Sequence, residues 1–339
     1  MLNDPLLNMT LELYGLNCKD IDEYSLQPID KKHGHWQLNV RLKAEYSPCP
    51  VCRQENPRIF GYYTSVVKVN LMEHITMEIC VKRRRYRCRC CHKTWTENNP
   101  FVFKGQQISY GTVINILEEL KNPEVTYKSL GKRFNVSPAT IQNLIDTHLD
   151  LPEKRPLPEF LLIDEVYAFR DSESGYVCVL MDGDTGIPID VLPSRRKEYL
   201  SRFLARYSPE ERKKVKYFCS DMYQPYQDIA QLKFPWAIRA IDRFHVFQDF
   251  LRMTYVTTRN GKSYWKTRRL NSSLIENKNR VIQTLKRNAN GFTNWDRFRS
   301  RVLYLLDPDV TFTIPSNPRE ERNRNSGTQK DESQNELKK

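Results

Sequence analysis

The sequence predicts a multidomain α/β protein: a small β-rich, metal-clamped module, a pair of short helices, and a larger mixed-sheet domain with helices. Three observations lead there. Two Cys-x-x-Cys pairs, Cys49-Pro-Val-Cys52 and Cys88-Arg-Cys-Cys91, bracket a stretch in which apolar and polar residues alternate. Between residues 108 and 150 the hydrophobic period changes from two to helical. After the proline-punctuated segment Leu151-Pro-Glu-Lys-Arg-Pro-Leu-Pro, short apolar strand-like runs alternate with helical ones. The 339 residues have room for two or three domains. The expected boundaries are a lead at 1–35, the metal module at 36–100, the helical pair at 101–150, a linker at 151–159, the mixed-sheet domain at 160–312, and a polar, disordered tail at 313–339.

The metal module comes first. Trp36-Gln-Leu-Asn-Val-Arg-Leu-Lys-Ala-Glu alternates as a half-buried strand does, and strand patterns return at 59–71 and 75–87. A Cys-x-x-Cys turn aims two sulfurs at one point, and strands between two such turns bring them together. Cys49, Cys52, Cys88 and Cys91 are therefore expected to hold a structural Zn²⁺ in a zinc ribbon. Cys90, between two of these ligands, can substitute for Cys91 or stay free. Cys18, Cys80, Cys178 and Cys219 have apolar neighbours and read as small buried hydrophobes. The run Lys82-Arg83-Arg84-Arg85-Tyr86-Arg87 supplies Arg83, Arg84, Arg85 and Arg87 as candidate phosphate contacts; the alternative is a zinc clip that touches no nucleic acid.

The overall charge agrees with a polyanionic partner: the chain carries +13 at neutral pH. No apolar run approaches the roughly 18–20 residues of a membrane span, so a membrane protein is not expected. The N-terminus shows no secretory pattern, and the cysteines are expected in a reducing compartment.

In the helical pair, Val113, Ile114, Ile116 and Leu117 begin one amphipathic helix, and a second starts after Thr126 as N-cap. Ser137-Pro138 is an N-cap followed by proline at the first helical position. The helix from Pro138 to about His148 is expected to bury Ile141, Leu144 and Ile145 and to expose Thr140, Gln142 and Asn143. Two short helices around this turn read either as a DNA-binding helix-turn-helix or as an ordinary helical hairpin.

In the larger domain, Phe160-Leu-Leu-Ile-Asp164, Tyr176–Asp182 and Ile187–Leu192 read as three strands, the last two joined by the turn Gly183-Asp-Thr-Gly186. Helical pattern follows at 195–207, a strand at 215–221, a helix at 223–232 and a strand at 236–241. Three meandering strands, then two more alternating with helices, is the order of a ribonuclease-H-like mixed sheet. Asp164 and Asp221 each end an apolar strand; in adjacent strands both would project at one edge, as ligands for Mg²⁺ or Mn²⁺, or simply as turn residues. Between Arg252 and Arg301 there are thirteen Lys or Arg and only two acids, Glu276 and Asp296. Glu276, in a helical stretch from about 273 to 288, is either a solvated side chain or a third ligand among phosphate-binding Lys278, Arg280, Lys286 and Arg287.

The ordered set of motifs resembles the DDE transposases of bacterial insertion sequences, specifically the ISL-three group. It comprises the cysteine pairs with Arg84-Arg-Tyr-Arg-Cys88, Ser137-Pro-Ala-Thr-Ile-Gln142, Ile163-Asp-Glu165, Ser220-Asp-Met222, Asp242-Arg-Phe-His-Val, and Leu274-Ile-Glu-Asn-Lys-Asn279 running on to Arg299. The resemblance implies a metal-dependent transposase that cuts and joins double-stranded DNA at terminal inverted repeats and in target DNA, self-associates on paired ends, and works in the bacterial cytoplasm on the nucleoid. It maps Asp164, Asp221 and Glu276 onto the acidic triad. It gives His245 either a substrate-positioning role or that of a buried structural histidine. Glu165 ranks below Asp164, because strand alternation points it to the opposite face. Members of the group carry a long helical insertion before the glutamate, whereas residues 250–271 here form a short basic path. An internally deleted, inactive DNA-binding derivative is therefore a second expectation.

Overall fold

The computed structural model describes residues 21–44, 48–72, 75–103, 106–169, 175–241 and 273–313. Cys18, His245 with its 242–246 segment, the short path at 250–271 and the expected polar tail after 313 lie outside the described residues. The chain forms two compact units. The first is Met1–Glu118, Lys132–Val136 and Ile314–Lys339; the second is Glu119–Gly131 and Ser137–Thr313.

In the first unit, β1 (Ile21–Asp30), β2 (His35–Leu42), β3 (Arg58–Met72) and β4 (Ile75–Arg87) form a sheet in the order β1-β2-β4-β3, with the short β5 (Thr94–Thr96) also paired to β4. β3 and β4 are an antiparallel pair, and β2 runs parallel to β4 with Leu38 beside Ile79. The expected strands at 59–71 and 75–87 are present, and the one expected at 36–45 ends at Leu42; β1 adds to them inside what the sequence suggested was a lead. Alternation places Leu38, Val40, Val67, Val69, Met77, Ile79 and Val81 in one core with Ile21, Phe101 and Val102. After Val81 burial in β4 changes face, so that Arg84, Tyr86 and the following Cys88 are the buried residues. The helix α1 (Tyr110–Glu119) buries Val113, Ile116 and Leu117.

Two short helices follow, α2 (Tyr127–Arg133) and α3 (Pro138–His148). Thr126 Oγ1 accepts from the Ser129 amide at 3.0 Å, which caps α2. Asn135 takes a left-handed backbone (φ 51°) between the helices. Ser137 Oγ accepts from the Thr140 amide at 3.0 Å, with Pro138 at the first helical position. Ile141, Leu144, Ile145 and His148 are buried.

The second unit is built on a five-stranded sheet in the order β11-β10-β7-β8-β9: β7 (Phe160–Tyr167), β8 (Tyr176–Asp182), β9 (Pro188–Leu192), β10 (Tyr217–Ser220) and β11 (Ile238–Ile241). β7, β8 and β9 are an antiparallel meander, and β10 and β11 run parallel to β7. The β8–β9 turn closes where Gly186 adopts φ 71°, a conformation glycine reaches without strain, and its amide donates to Asp182 O at 2.9 Å.

Each sheet face has its own core. Leu161, Ile163, Cys178, Leu180 and Phe218 pack with α4 (Lys197–Leu204) and α6 (Gln224–Lys233). Phe160, Leu162, Val166, Val179 and Cys219 pack with α7 (Ser273–Ala289) and α8 (Trp295–Leu306). A one-turn helix, α5 (Pro209–Lys213), is closed by a Ser208/Glu211 capping box, and β6 (Leu149–Asp150) pairs with β12 (Thr311–Phe312). No helix among the described residues is long and apolar enough to cross a membrane.

Candidate functional site

The four cysteines meet. Cys49 and Cys52 lie in the turn between β2 and β3, and Cys88 and Cys91 between β4 and β5. Each turn ends on a left-handed residue just after its second cysteine, Arg53 (φ 60°) and His92 (φ 59°). The sulfurs of Cys49 and Cys91 are 3.5 Å apart, as are those of Cys52 and Cys88, and all four lie within 4.8 Å of one another. Tetrahedral zinc with Zn–S near 2.3 Å requires sulfurs about 3.8 Å apart, so the cluster fits a zinc ion. Amides of Cys91 and then Cys90, acting against burial, hold the Cys88 thiol down to about 6. The Gln54 amide favours the Cys52 thiolate, yet the neighbouring sulfurs push that group up to about 12. A cation between the sulfurs would let all four carry the thiolate charge together. Cys90 is exposed outside the cluster, and Cys178 and Cys219 are buried as expected of small hydrophobes.

The carboxylates are positioned by the sheet. β7 and β10 are parallel neighbours, with Leu162 beside Cys219; two residues further on, Asp221 lies just past the end of β10, whereas Asp164 is inside β7, which continues to Tyr167 rather than ending at the acid as the sequence suggested. Alternation puts Asp164 on the face of Leu162, which α7 covers. Asp164 is held at both oxygens: Oδ1 accepts from the Glu165 amide at 2.9 Å, and Oδ2 from Asn279 Nδ2 at 2.8 Å. Asp221 Oδ1 accepts from the Tyr223 amide at 2.9 Å. Glu276 sits on α7 one turn before Asn279, half-buried. Among the described residues, the four cysteines form the one cluster of three or more ligating side chains within 4.8 Å; the three carboxylates do not converge that closely.

Glu165 lies on the opposite face. Its Oε1 is 2.5 Å from Arg195 Nη1, and its Oε2 accepts from the Tyr226 hydroxyl at 2.9 Å. Burial first, then Cys178 and Glu165, push the Tyr226 ionisation upward, so it stays a donor. Arg195 lies between the rings of Tyr176 and Tyr223, 4.4 and 4.5 Å from their centroids. Asn279, Arg195 and Tyr226 were not singled out in the sequence. Only Asn279 left a signal there, three residues after Glu276 in the same motif.

The candidate DNA contacts divide into two groups. Arg85, Asn143, Arg280 and Arg287 are exposed, and Arg87 is half-buried beside Phe60. Others are engaged within the protein. Arg84 is 5% exposed, its Nη1 3.2 Å from the Glu97 carboxylate, which also accepts from the Arg84 amide. This corrects the expectation for Arg84: a guanidinium buried against its own counter-ion is not presented to phosphate. Arg83 is half-buried and donates to Glu97 O and Ser65 Oγ. Lys278 Nζ donates to Leu306 O at 3.0 Å, and Lys286 Nζ donates to Tyr167 O at 3.0 Å over the Tyr167 ring. Thr140 and Gln142 are half-buried rather than exposed: the Thr140 hydroxyl bonds Ser137 Oγ, and Gln142 Oε1 accepts from Arg297 of α8 at 2.7 Å.

Compared with known families, residues 161–260 match the model for the ISL-three group of DDE enzymes, described as a transposase. The match covers under a third of the chain and runs from β7 past the end of β11. No curated protein matches the chain.

Proposed function

Residues 161–260 are similar to the ISL-three group of DDE transposases, and from that premise we propose that the chain binds the terminal inverted repeats of an insertion sequence and catalyses metal-dependent DNA strand cleavage and strand transfer. The observation that supports this reading is Asp164 within β7 and Asp221 just past the adjacent parallel β10, with Glu276 on a helix that covers the Leu162 face of that sheet. The strand order β9-β8-β7-β10-β11, with the last two parallel to β7, supports a ribonuclease-H-like catalytic domain. Asp164, Asp221 and Glu276 would hold Mg²⁺ or Mn²⁺, hard cations suited to oxygen ligands. When bound, such ions activate the attacking oxygen and stabilise the leaving one. The chain's own part is to fix Asp164 through Asn279 and the Glu165 amide. The capped pair α2 and α3, as a helix-turn-helix, and the zinc-clamped ribbon would recognise the repeats. Arg85, Arg87, Asn143, Arg280 and Arg287 are the proposed contacts, within an assembly on paired ends at the nucleoid.

A second reading has its own support: the short 250–271 path and the separation of the three carboxylates favour a DNA-binding derivative without chemistry. Cleavage of repeat-ended DNA with Mg²⁺ or Mn²⁺, abolished by Asp164→Ala or Asp221→Ala, is the expected result. Tight repeat binding with no cleavage under either metal would leave the derivative.

A further inference from the structure

The first unit carries an exposed aromatic surface that phosphate binding does not explain. At the β3 edge of the sheet, Phe60 and Tyr63 are 49% and 56% exposed. The β3–β4 register slips between Ile59 and Gly61, so Phe60 is a bulged residue, and bulges re-aim side chains. The bulge turns Phe60 toward Arg85 and Arg87, whose guanidinium carbons lie 5.9 and 5.5 Å from its ring centroid. Tyr63 pairs with Arg83, two residues from Arg85 and on the same face. Between the two rings, opposite Arg85, is Gly61. Its backbone is not left-handed, and a Cβ built there would meet nothing within 4 Å. Neither conformation nor packing requires a glycine at this mid-strand position. Gly61 is where the register resumes after the bulge, and without a side chain it leaves the backbone between the two rings open to a closely approaching ligand.

We propose that Phe60, Gly61 and Tyr63 form a stacking floor for unpaired bases of single-stranded DNA, with Arg85 and Arg87 holding the strand's phosphates. Bases inside a duplex are already stacked and give exposed rings nothing to cover, whereas an opened element end presents free base faces. The inference rests on the reading that this protein handles DNA. Tyr62 provides an internal control: it is 53% exposed and lies beside Lys82 at 5.0 Å, but alternation puts it on the other face.

The test is fluorescence anisotropy of the full zinc-loaded chain with a labelled oligothymidine and with a duplex carrying the element's end. Phe60→Ala with Tyr63→Ala is expected to weaken oligothymidine binding at least ten-fold, the size of one lost base–aromatic stack. Duplex affinity should change less than three-fold, and the salt slope of single-strand binding should be unchanged because no cation is removed. Gly61→Val, which suits a strand and whose Cβ meets nothing within 4 Å, should also weaken single-strand binding by filling the floor. Tyr62→Ala should have no effect. Equal losses on both DNAs, or no loss with either platform variant while the duplex still binds, overturn this inference alone. A chain that binds neither DNA overturns the DNA-handling reading with it.

Discussion

Replacing Asn279 by aspartate converts the group that steadies Asp164 into a second carboxylate at the same place. Asn279 is 8% exposed, its Nδ2 is 2.8 Å from Asp164 Oδ2, and its Oδ1 is buried without a hydrogen-bond partner among the described residues. Two charges at that separation repel by roughly 6 kcal/mol at an effective dielectric of 20. Protonating one ordinary aspartate near neutral pH costs about 4 kcal/mol, which caps the penalty, and rotation of the side chains lowers it further. A loss of about 2–4 kcal/mol lowers the melting temperature of a unit this size by roughly 5–15 °C. A divalent cation between the carboxylates reverses the sign of their interaction, so Asn279→Asp should recover most of that loss in millimolar Mg²⁺. Asn279→Leu is the comparator. It loses a hydrogen bond to a charged group but also removes the unpartnered Oδ1, so its stability should change little. Calorimetry of the three proteins with and without Mg²⁺ decides the matter. An Asn279→Asp protein that melts like the parent without metal, or that ignores Mg²⁺, would refute the placement of Asn279 against Asp164.

Two further outcomes follow from the first unit. About one equivalent of zinc should co-purify and be lost on Cys88→Ser or chelation. A structural zinc contributes about 10–16 kcal/mol in small domains, comparable to a whole domain's stability, so amides at 85–97 should then lose hydrogen-exchange protection. Arg84→Met should destabilise by about 3–5 kcal/mol, because it strands the buried Glu97 carboxylate, and adding Glu97→Gln should restore most of it. Arg85→Met, at an exposed position, should leave the melting temperature within a degree or two while weakening DNA binding. Equal stability losses for Arg84→Met and Arg85→Met in urea titrations would contradict the assignment of one as structural and the other as surface.

The parts of this fold that were legible in the sequence are those whose cause is local. Alternation over Trp36–Glu45 and 75–87 is a short-range signal, as is the Ser137-Pro138 cap. The Cys-x-x-Cys turns set their own geometry. β1 escaped because it is an edge strand exposed along most of its length, with Pro28 inside it, so it shows no alternation. The arginine run misled for a related reason. A block of like charges reads as a solvated surface, but the strand turns alternate residues inward, and the acid that receives Arg84 comes from Glu97, beyond the second cysteine turn. The basic helix α7 behaves likewise: two of its four candidate cations reach carbonyls at 167 and 306, partners no local pattern announces.

The adjacent acids Asp164 and Glu165 show how a sheet gives neighbouring carboxylates different surroundings. Alternation sends them to opposite faces one residue apart. Glu165 enters a closed set with Arg195 and Tyr226, where its charge is neutralised and both oxygens are occupied by protein donors. Asp164 is met by one backbone amide and by the side-chain amide of Asn279. Asp221, just past the end of the neighbouring β10, is likewise met by a backbone amide. Amides that fix a carboxylate's oxygens orient it as a ligand for a hard cation. The same helix that carries Asn279 carries Glu276 one turn earlier, so the positioning of Asp164 and the approach of the third acid are set by a single element, α7.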